Sequence, residues 1–92
     1  MNLEIENNRT RNRFEAEVAG SVAFVEYALE DNILTLVHTE VPADLEGQGL
    51  GGKIVKAALD FAIDQRVKVV PQCPFARSYI ERHQEYAGIV AQ

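Results

Sequence analysis

The most informative stretch of this sequence is residues 46–53, Glu-Gly-Gln-Gly-Leu-Gly-Gly-Lys. The stretch follows an apolar segment and precedes a helical pattern. Glycine has no side chain to keep a ligand away from backbone N–H groups. A helix N-terminus adds unpaired N–H donors and the positive end of the helix dipole. The stretch therefore predicts a binding site for a phosphate or pyrophosphate group at the start of a helix.

Downstream of this stretch the pattern is helical over residues 50–66. Apolar residues recur there three and four positions apart, and charged residues fall on the opposite side. Residues 67–70 are predicted to form a short β-branched strand that is ended by Pro71 and Pro74. A second helix is predicted from about residue 76 to residue 83.

Upstream of the stretch, alternating apolar and polar residues predict strands separated by turn residues. Leu3 and Ile5 alternate with acidic residues, and Asn7-Asn8 is a turn signal. Longer strands are predicted at residues 14–18, 23–29 and 33–41, with turns at residues 20–21 and 31–32. Short turns between successive strands indicate an antiparallel meander.

The order of elements, strands followed by helix, strand and helix, predicts an α+β fold. An antiparallel meander continues into a βαβ crossover, and the helices pack on one mixed sheet. Because such a crossover joins parallel strands, strand 67–70 is expected to lie parallel to strand 33–41 or to a near neighbour. Residues 1–92 contain no linker or repeat, so a single domain is expected.

The composition argues against several classes of function. Fourteen acidic and nine basic residues give a net charge of −5, whereas general nucleic-acid binding needs a basic surface. An anionic membrane surface is disfavoured for the same reason, and no apolar run approaches the ~20 residues needed to span a bilayer. One cysteine excludes an internal disulfide and a cysteine-rich zinc site. We expect a cytoplasmic protein without a metal, either a monomer or a weak homodimer.

Three kinds of phosphate carrier compete for the glycine-rich stretch. A nucleoside-triphosphate loop needs Ser or Thr after Gly-Lys, and here Ile54 follows Lys53. A dinucleotide fingerprint needs Gly-x-Gly-x-x-Gly in a larger parallel sheet, and the glycines of residues 47–51 have the wrong spacing. The third carrier is coenzyme A, which also presents a pyrophosphate.

Residues 36–51, Leu-Val-His-Thr-Glu-Val-Pro-Ala-Asp-Leu-Glu-Gly-Gln-Gly-Leu-Gly, resemble the acetyl-CoA motif of the GNAT superfamily of N-acetyltransferases. Residues 71–83, which include Pro-Gln-Cys-Pro-Phe, look like the next strand and helix of a small single-domain subgroup. The resemblance covers about residues 10 to 90. It departs at Glu46, where the superfamily usually has Arg or Gln.

The resemblance implies transfer of an acetyl group from acetyl-CoA to an amine, either a small amine or a protein lysine or N-terminus. The alternative is a CoA-binding or acetyl-CoA-binding module without transfer. The pyrophosphate is expected on the backbone of the loop and the first helical turn, with the acetyl carbonyl and pantetheine on the preceding strand. The corresponding residues are Gln48, Gly49, Gly51, Gly52 and Lys53 for the pyrophosphate, and Thr39 and Val41 for the strand.

Three residues are candidate catalysts. Glu40 lies at the end of that strand, where a carboxylate can deprotonate an amine, or it is a solvated acid. Cys73 can accept the acetyl group or donate a proton to the leaving thiolate, or it is a small buried apolar residue. Tyr79 matches the tyrosine that protonates the thiolate in many superfamily members, or it is a core tyrosine. His38 and His83 are candidates to tune the thiol.

Overall fold

The computed structural model describes residues 4–91, and within this range five strands form one sheet with two helices packed against it. The strands are β1 (Glu6–Asn8), β2 (Arg13–Val18), β3 (Ser21–Glu30), β4 (Ile33–Glu40) and β5 (Lys68–Pro71). The helices are α1 (Leu50–Gln65) and α2 (Pro74–Arg82), and short 3-10 segments lie at Ala43–Leu45 and Gln84–Ile89.

The sheet has the order β1-β2-β3-β4-β5. Strands β1 to β4 are an antiparallel meander, and β5 lies parallel to β4 after the α1 crossover. The predicted α+β fold and the predicted parallel pairing are therefore confirmed. The turn at Asp31 and Asn32 is also confirmed, with φ of 52° and 63° at the two residues, as a tight turn between twisted strands requires.

The prediction of a turn at Asn7 and Asn8 is wrong. Both residues belong to β1, where they pair with Phe14 and Arg13. The side-chain oxygen of Asn8 accepts a hydrogen bond of 3.1 Å from the N–H of Arg11, so this asparagine ends the strand and supports the turn that follows it. Leu3 lies outside the described residues.

The boundaries of α2 also differ from the prediction. The helix begins at Pro74, two residues earlier than expected, with proline at its first position. Proline is favoured there because its missing N–H would have no helical partner and its φ already suits a helix. Cys73 therefore lies immediately before the first turn of α2.

The core lies between one face of the sheet and the apolar side of α1. Leu34 and Leu36 of β4 and Ile54 and Leu59 of α1 are fully buried there. Because side chains alternate along a strand, the neighbouring residues of β4 point to the other face of the sheet. Helix α1 begins beyond the carboxyl end of β4, and this places the glycine-rich stretch next to the last residues of that strand.

A β-bulge interrupts the alternation in β4. Glu26 and Tyr27 are consecutive in β3, but they pair with His38 and Leu36, so Val37 is an extra residue in β4. Such a bulge shifts the side-chain alternation by one position. Thr39, which pairs with the fully buried Val25, consequently lies on the α1 face of the sheet.

Candidate functional site

A cleft of ≈ 570 Å³ lies where the end of β4, the glycine-rich stretch and the first turns of α1 and α2 meet. Four apolar side chains and the glycines of the stretch form much of its wall, and the end of β4 forms one side. It is lined by His38, Thr39, Glu40, Val41, Leu45, Glu46, Gly47, Gly49, Leu50, Gly51, Gly52 and Phe75.

The start of α1 has the features of an anion site. Gly49 is the N-cap with a φ of 70°, and Gly47 before it has a φ of 85°. Glycine adopts such a backbone without the strain that a Cβ would add. Among residues 4–91 no side chain caps the helix, and its first turn carries no acid. The N–H groups of the first turn are therefore available to a ligand.

The helix itself uses the backbone N–H of Lys53, which donates to the carbonyl of Gly49 at 3.2 Å. This is the first hydrogen bond of α1 in the usual pattern. A contribution of Lys53 to an anion would therefore come from its ammonium group. Gly51 and Gly52 precede this hydrogen bond, and both line the cleft.

Gly51 has a packing role as well. A Cβ at this position would lie 2.8 Å from Cζ of Phe75 and 3.2 Å from Cγ2 of Val41. The missing side chain thus lets α1 approach α2 and the residue that follows β4. Phe75 is 40% exposed, and its ring forms part of the cleft wall.

The edge of β4 opens toward the cleft. Pairing with β5 ends at Leu36 and Pro71, and the Leu36 carbonyl accepts a last hydrogen bond from the Cys73 N–H at 2.9 Å. The rest of β4 continues to Glu40 without β5 beside it.

The backbone of Thr39 faces this open edge. Tyr27 of β3 donates its N–H to the carbonyl of Asn12, on the β2 side. Alternate residues of a strand direct their backbone groups to the same neighbour, so Val25 also faces β2. Its partner Thr39 is then left with an N–H and a C=O that point away from β3. This is the arrangement that a bound extended chain, such as pantetheine, can use.

Thr39 also contacts Cys73. The Thr39 hydroxyl oxygen and the Cys73 sulfur are 3.0 Å apart, within hydrogen-bond distance. The bulge in β4 makes this contact possible because it turns Thr39 to the α1 face. Cys73 is 3% exposed and does not line the cleft. The thiol is therefore buried on the α1 face of the sheet, beside Thr39 and outside the cleft.

Glu40 and His38 line the cleft from the other face of the sheet. Their side chains are 60% and 54% exposed, and Glu40 Oε1 lies 3.5 Å from His38 Nε2. Phe24 packs edge-on against the imidazole. Because Glu40 and Thr39 point to opposite faces, the candidate base and the thiol lie on different sides of β4.

Tyr79 lies beside the start of α1, outside the cleft lining. It is 7% exposed, and its ring atoms Cε2 and Cδ2 are the nearest to a Cβ built on Gly52, at 3.5 and 3.7 Å. Burial raises the pKa of its phenol, because the surroundings disfavour the charged form. The ring stacks on His83, and Tyr79 is not among the residues that line the cleft.

The structure thus brings most of the predicted residues to one cleft. Among its lining residues are Thr39, Glu40, Val41, Gly49, Gly51 and Gly52, with Gln48 and Lys53 next to them in the chain. Phe75 was not predicted as a site residue. The available signal was that this large apolar residue lies off the stripe of α2 that is formed by Ala76, Tyr79 and Ile80.

Neither a membrane-spanning helix nor a cluster of metal ligands is present among residues 4–91. No helix in this range has the length and apolar character needed to cross a membrane. No group of three or more potential metal ligands converges within the same residues.

Comparison with known proteins identifies the family. Residues 13–89 match the family model of the GCN5-related N-acetyltransferase. Protein NATD1 of Gallus gallus is 31% identical over 85 residues, which cover 88% of this chain and 76% of that protein. Protein NATD1 of Homo sapiens is also 31% identical, with coverage of 88% and 74%.

The fold is shared with a solved structure. The NMR solution structure of a GCN5-like protein from Staphylococcus aureus superposes with a TM-score of 0.75 at 29% identity. The alignment covers 98% of this chain and 89% of that one. The structural match and the family match cover nearly the same part of the chain. The chain therefore belongs to the GCN5-related N-acetyltransferase family.

Proposed function

We propose that this protein is an acetyl-CoA-dependent N-acetyltransferase that transfers the acetyl group to an amine. The observation that carries the proposal is that the uncapped start of α1 and the open edge of β4 line one cleft. The first suits a pyrophosphate, and the second suits an extended chain with amide groups. Coenzyme A has both parts in this order.

Each part of the cleft has a role in holding acetyl-CoA, which supplies the activated thioester. The glycine-rich turn, through Gln48, Gly49, Gly51, Gly52 and Lys53, binds the pyrophosphate. The backbone of Thr39 and Val41 binds pantetheine and orients the acetyl carbonyl, which lowers the entropic barrier to attack. Phe75 and Leu50 provide apolar surface that excludes water from the bound chain.

Three residues are proposed as catalysts, with Tyr79 and Cys73 as alternatives for the acid. Glu40 faces the cleft from the exposed side and is placed to take a proton from the attacking amine. Tyr79 is proposed to donate its phenol proton to the departing thiolate, although burial raises its pKa and makes it a weaker acid. Cys73 is the alternative acid, or the nucleophile that accepts the acetyl group before the amine does.

A second candidate function is a CoA-binding module without transfer. The observation that favours it is that Cys73 and Tyr79 are both buried and lie outside the cleft lining. The Cys73 sulfur is engaged by the Thr39 hydroxyl. In this function the family cleft is retained for binding, and Glu40 is a surface acid.

The acceptor is proposed to be a cationic amine. Glu26 pairs with His38 on the face of the sheet opposite α1, and Glu40 pairs with Phe24 on the same face. These carboxylates attract an ammonium group by long-range electrostatics, which suits a small amine or a protein lysine or N-terminus. We place the protein in the reducing cytoplasm, where its single thiol stays reduced.

Binding is tested by the melting temperature of the full chain with CoA at millimolar concentration. We expect a rise in Tm, because a ligand that binds only the folded state stabilises it. Gly49→Val should abolish the rise. Gly20→Val is the matched control, because Gly20 also has a positive φ of 86° but lies outside the cleft lining. An unchanged Tm for the wild type, or a rise retained in Gly49→Val, would contradict the proposal.

Transfer is tested by release of free CoA thiol from acetyl-CoA across a panel of amines. Release that depends on the amine establishes the enzyme, whereas binding without release establishes the module. Loss of activity in Cys73→Ala but not in Tyr79→Phe assigns the thiol route. The reverse pattern removes Cys73 from the mechanism. Glu40→Gln should lower the rate more near neutral pH than at high pH, because near neutral pH the carboxylate is ionised while most of the amine still carries its proton.

A further inference from the structure

His83 stacks on the face of Tyr79. The two ring centroids are 3.9 Å apart and the planes differ by 13°. Nδ1 of His83 lies 2.8 Å from the Tyr79 carbonyl oxygen, and because a carbonyl only accepts, Nδ1 carries the hydrogen. The imidazole is therefore fixed by two different contacts to one residue.

The chain on both sides of His83 is also anchored. The N–H of His83 donates to the Ile80 carbonyl at 3.1 Å, and its carbonyl accepts from the Tyr86 N–H at 3.0 Å. Tyr86 is 4% exposed, and its hydroxyl donates to Asp60 of α1 at 2.8 Å. The imidazole is thus held by the end of α2 and by the segment that returns to α1.

The other end of this chain of contacts is the glycine turn. Gly52 has no side chain, and the nearest atoms to its Cβ position both belong to the Tyr79 ring. Gly52 lies in the first turn of α1 and lines the cleft. The edge of the Tyr79 ring therefore borders the space behind this turn into which the turn could shift.

We propose that His83 is a positioning residue for the anion-binding turn, acting through the Tyr79 ring on Gly52. The inference rests on the proposed function, because it assumes that the turn binds the pyrophosphate of CoA. His83 does not line the cleft, so its effect on CoA is transmitted by packing. Stacking on His83 fixes the plane of the Tyr79 ring, and with it the position of the ring edge that lies nearest to Gly52.

The test measures the Kd for CoA by calorimetry on the full chain, together with the free energy of unfolding. His83→Ala should raise the Kd by about tenfold, because it removes the aromatic stack. His83→Phe keeps a stacking ring and should stay within about threefold of the wild type. His83→Asn keeps a donor to the Tyr79 carbonyl but no ring, and should resemble His83→Ala.

Gln84→Ala is the control for a general loss of stability. Gln84 donates to the carbonyls of Ile80 and Glu81 at the same end of α2, and none of its hydrogen bonds involves Tyr79. It should lower the free energy of unfolding without changing the Kd. An unchanged Kd in His83→Ala, a Kd in His83→Phe as weak as in His83→Ala, or an equal increase in Gln84→Ala would overturn the proposal.

A second measurement separates this proposal from the function on which it rests. The amide resonance and the relaxation order parameter of the Gly52 N–H are recorded by NMR without CoA. His83→Ala should shift the resonance and lower the order parameter, and His83→Phe should restore both. If the wild type fails to bind CoA, the proposed function fails, and the amide data still decide whether His83 restrains the turn. An unchanged Gly52 amide in His83→Ala overturns that restraint.

Discussion

Glu46 is the residue at which the sequence departs most from what its site requires. It lines the cleft beside Gly47 and Gly49, in the position where the superfamily resemblance leads to Arg or Gln. A carboxylate near a pyrophosphate raises the energy of the bound state by Coulomb repulsion. The backbone donors of the turn do not depend on this side chain. Glu46 should therefore weaken CoA binding without preventing it.

Glu46→Gln is accordingly expected to strengthen CoA binding. Removal of one like charge at the rim of an open cleft is worth about 1 kcal/mol, or roughly fivefold in Kd. The gain should shrink as salt is raised, because the interaction is screened. Calorimetry at low and high salt measures both effects.

Glu30→Gln is the matched control for this prediction. It makes the same change of net charge at the far end of β3, where Glu30 pairs with Ile33 beside the turn to β4. A general effect of net charge would change the Kd equally in the two variants. An equal gain in both, or no gain in Glu46→Gln, would show that the Glu46 carboxylate does not face the bound anion.

At the scale of single elements, α1 was predicted most accurately, because its pattern depends on neighbouring residues alone. The periodicity of residues 50–66 predicts α1 to within one residue of its observed end. This is because the apolar residues of a helix face recur every three or four positions along the sequence. The bulge at Val37 was not predicted. It depends on which residues of β3 pair with β4, and this register is set by packing across the sheet.

The site also combines features set by neighbouring residues with features set by packing between distant parts of the chain. The glycine-rich turn could be predicted because its backbone needs are local. The contact of Thr39 with Cys73 could not, because those residues are far apart in sequence and the bulge decides which way Thr39 points. Tyr79 could be placed on a helix, but the position of its ring beside Gly52 depends on how α2 packs against α1.

The first turn of α1 offers a direct comparison between two adjacent glycines. Gly51→Ala should destabilise the protein by about 1–2 kcal/mol, because the new methyl group meets Phe75 and Val41 and forces a shift. Gly52→Ala should be neutral or stabilising by up to about 1 kcal/mol, because alanine favours the helix and the nearest atom is at an ordinary 3.5 Å. Denaturant unfolding measures both.

The methyl group introduced by Gly51→Ala would lie closest to the Phe75 ring. A variant at Phe75 therefore tests whether this close approach causes the loss of stability. In a Phe75→Leu background, Gly51→Ala should cost less, since the atom at 2.8 Å is removed. The difference between the two backgrounds is the coupling energy of the pair. Equal costs in the two backgrounds, or a larger cost for Gly52→Ala than for Gly51→Ala, would contradict this account of the close approach.

At the scale of the whole molecule, the C-terminal segment, Gln84–Ile89, follows α2 and binds to α1 through Asp60, which accepts a hydrogen bond from Tyr86. Burial opposes ionisation of this carboxyl, but hydrogen bonds from Lys56 and Tyr86 outweigh it and hold the pKa below the usual 3.8. Glu15 behaves similarly, because its hydrogen bond to Arg13 lowers its pKa. A carboxyl with a depressed pKa in the folded state stabilises the fold above its unfolded pKa.

Stability should therefore fall with pH below about 4, and Asp60→Asn should remove part of that dependence. At pH 7 the variant should be less stable by no more than about 1 kcal/mol, because the side chain is 49% exposed and its ion pair is screened. As pH falls toward 2 the wild-type carboxyl gains a proton, so the two stabilities should converge. Asp64→Asn, one turn further along α1 and exposed, should follow the wild-type curve throughout. Urea unfolding from pH 7 to pH 2 measures the three curves, and a constant gap between Asp60→Asn and the wild type would mean that the Asp60 charge does not hold the C-terminal segment on α1.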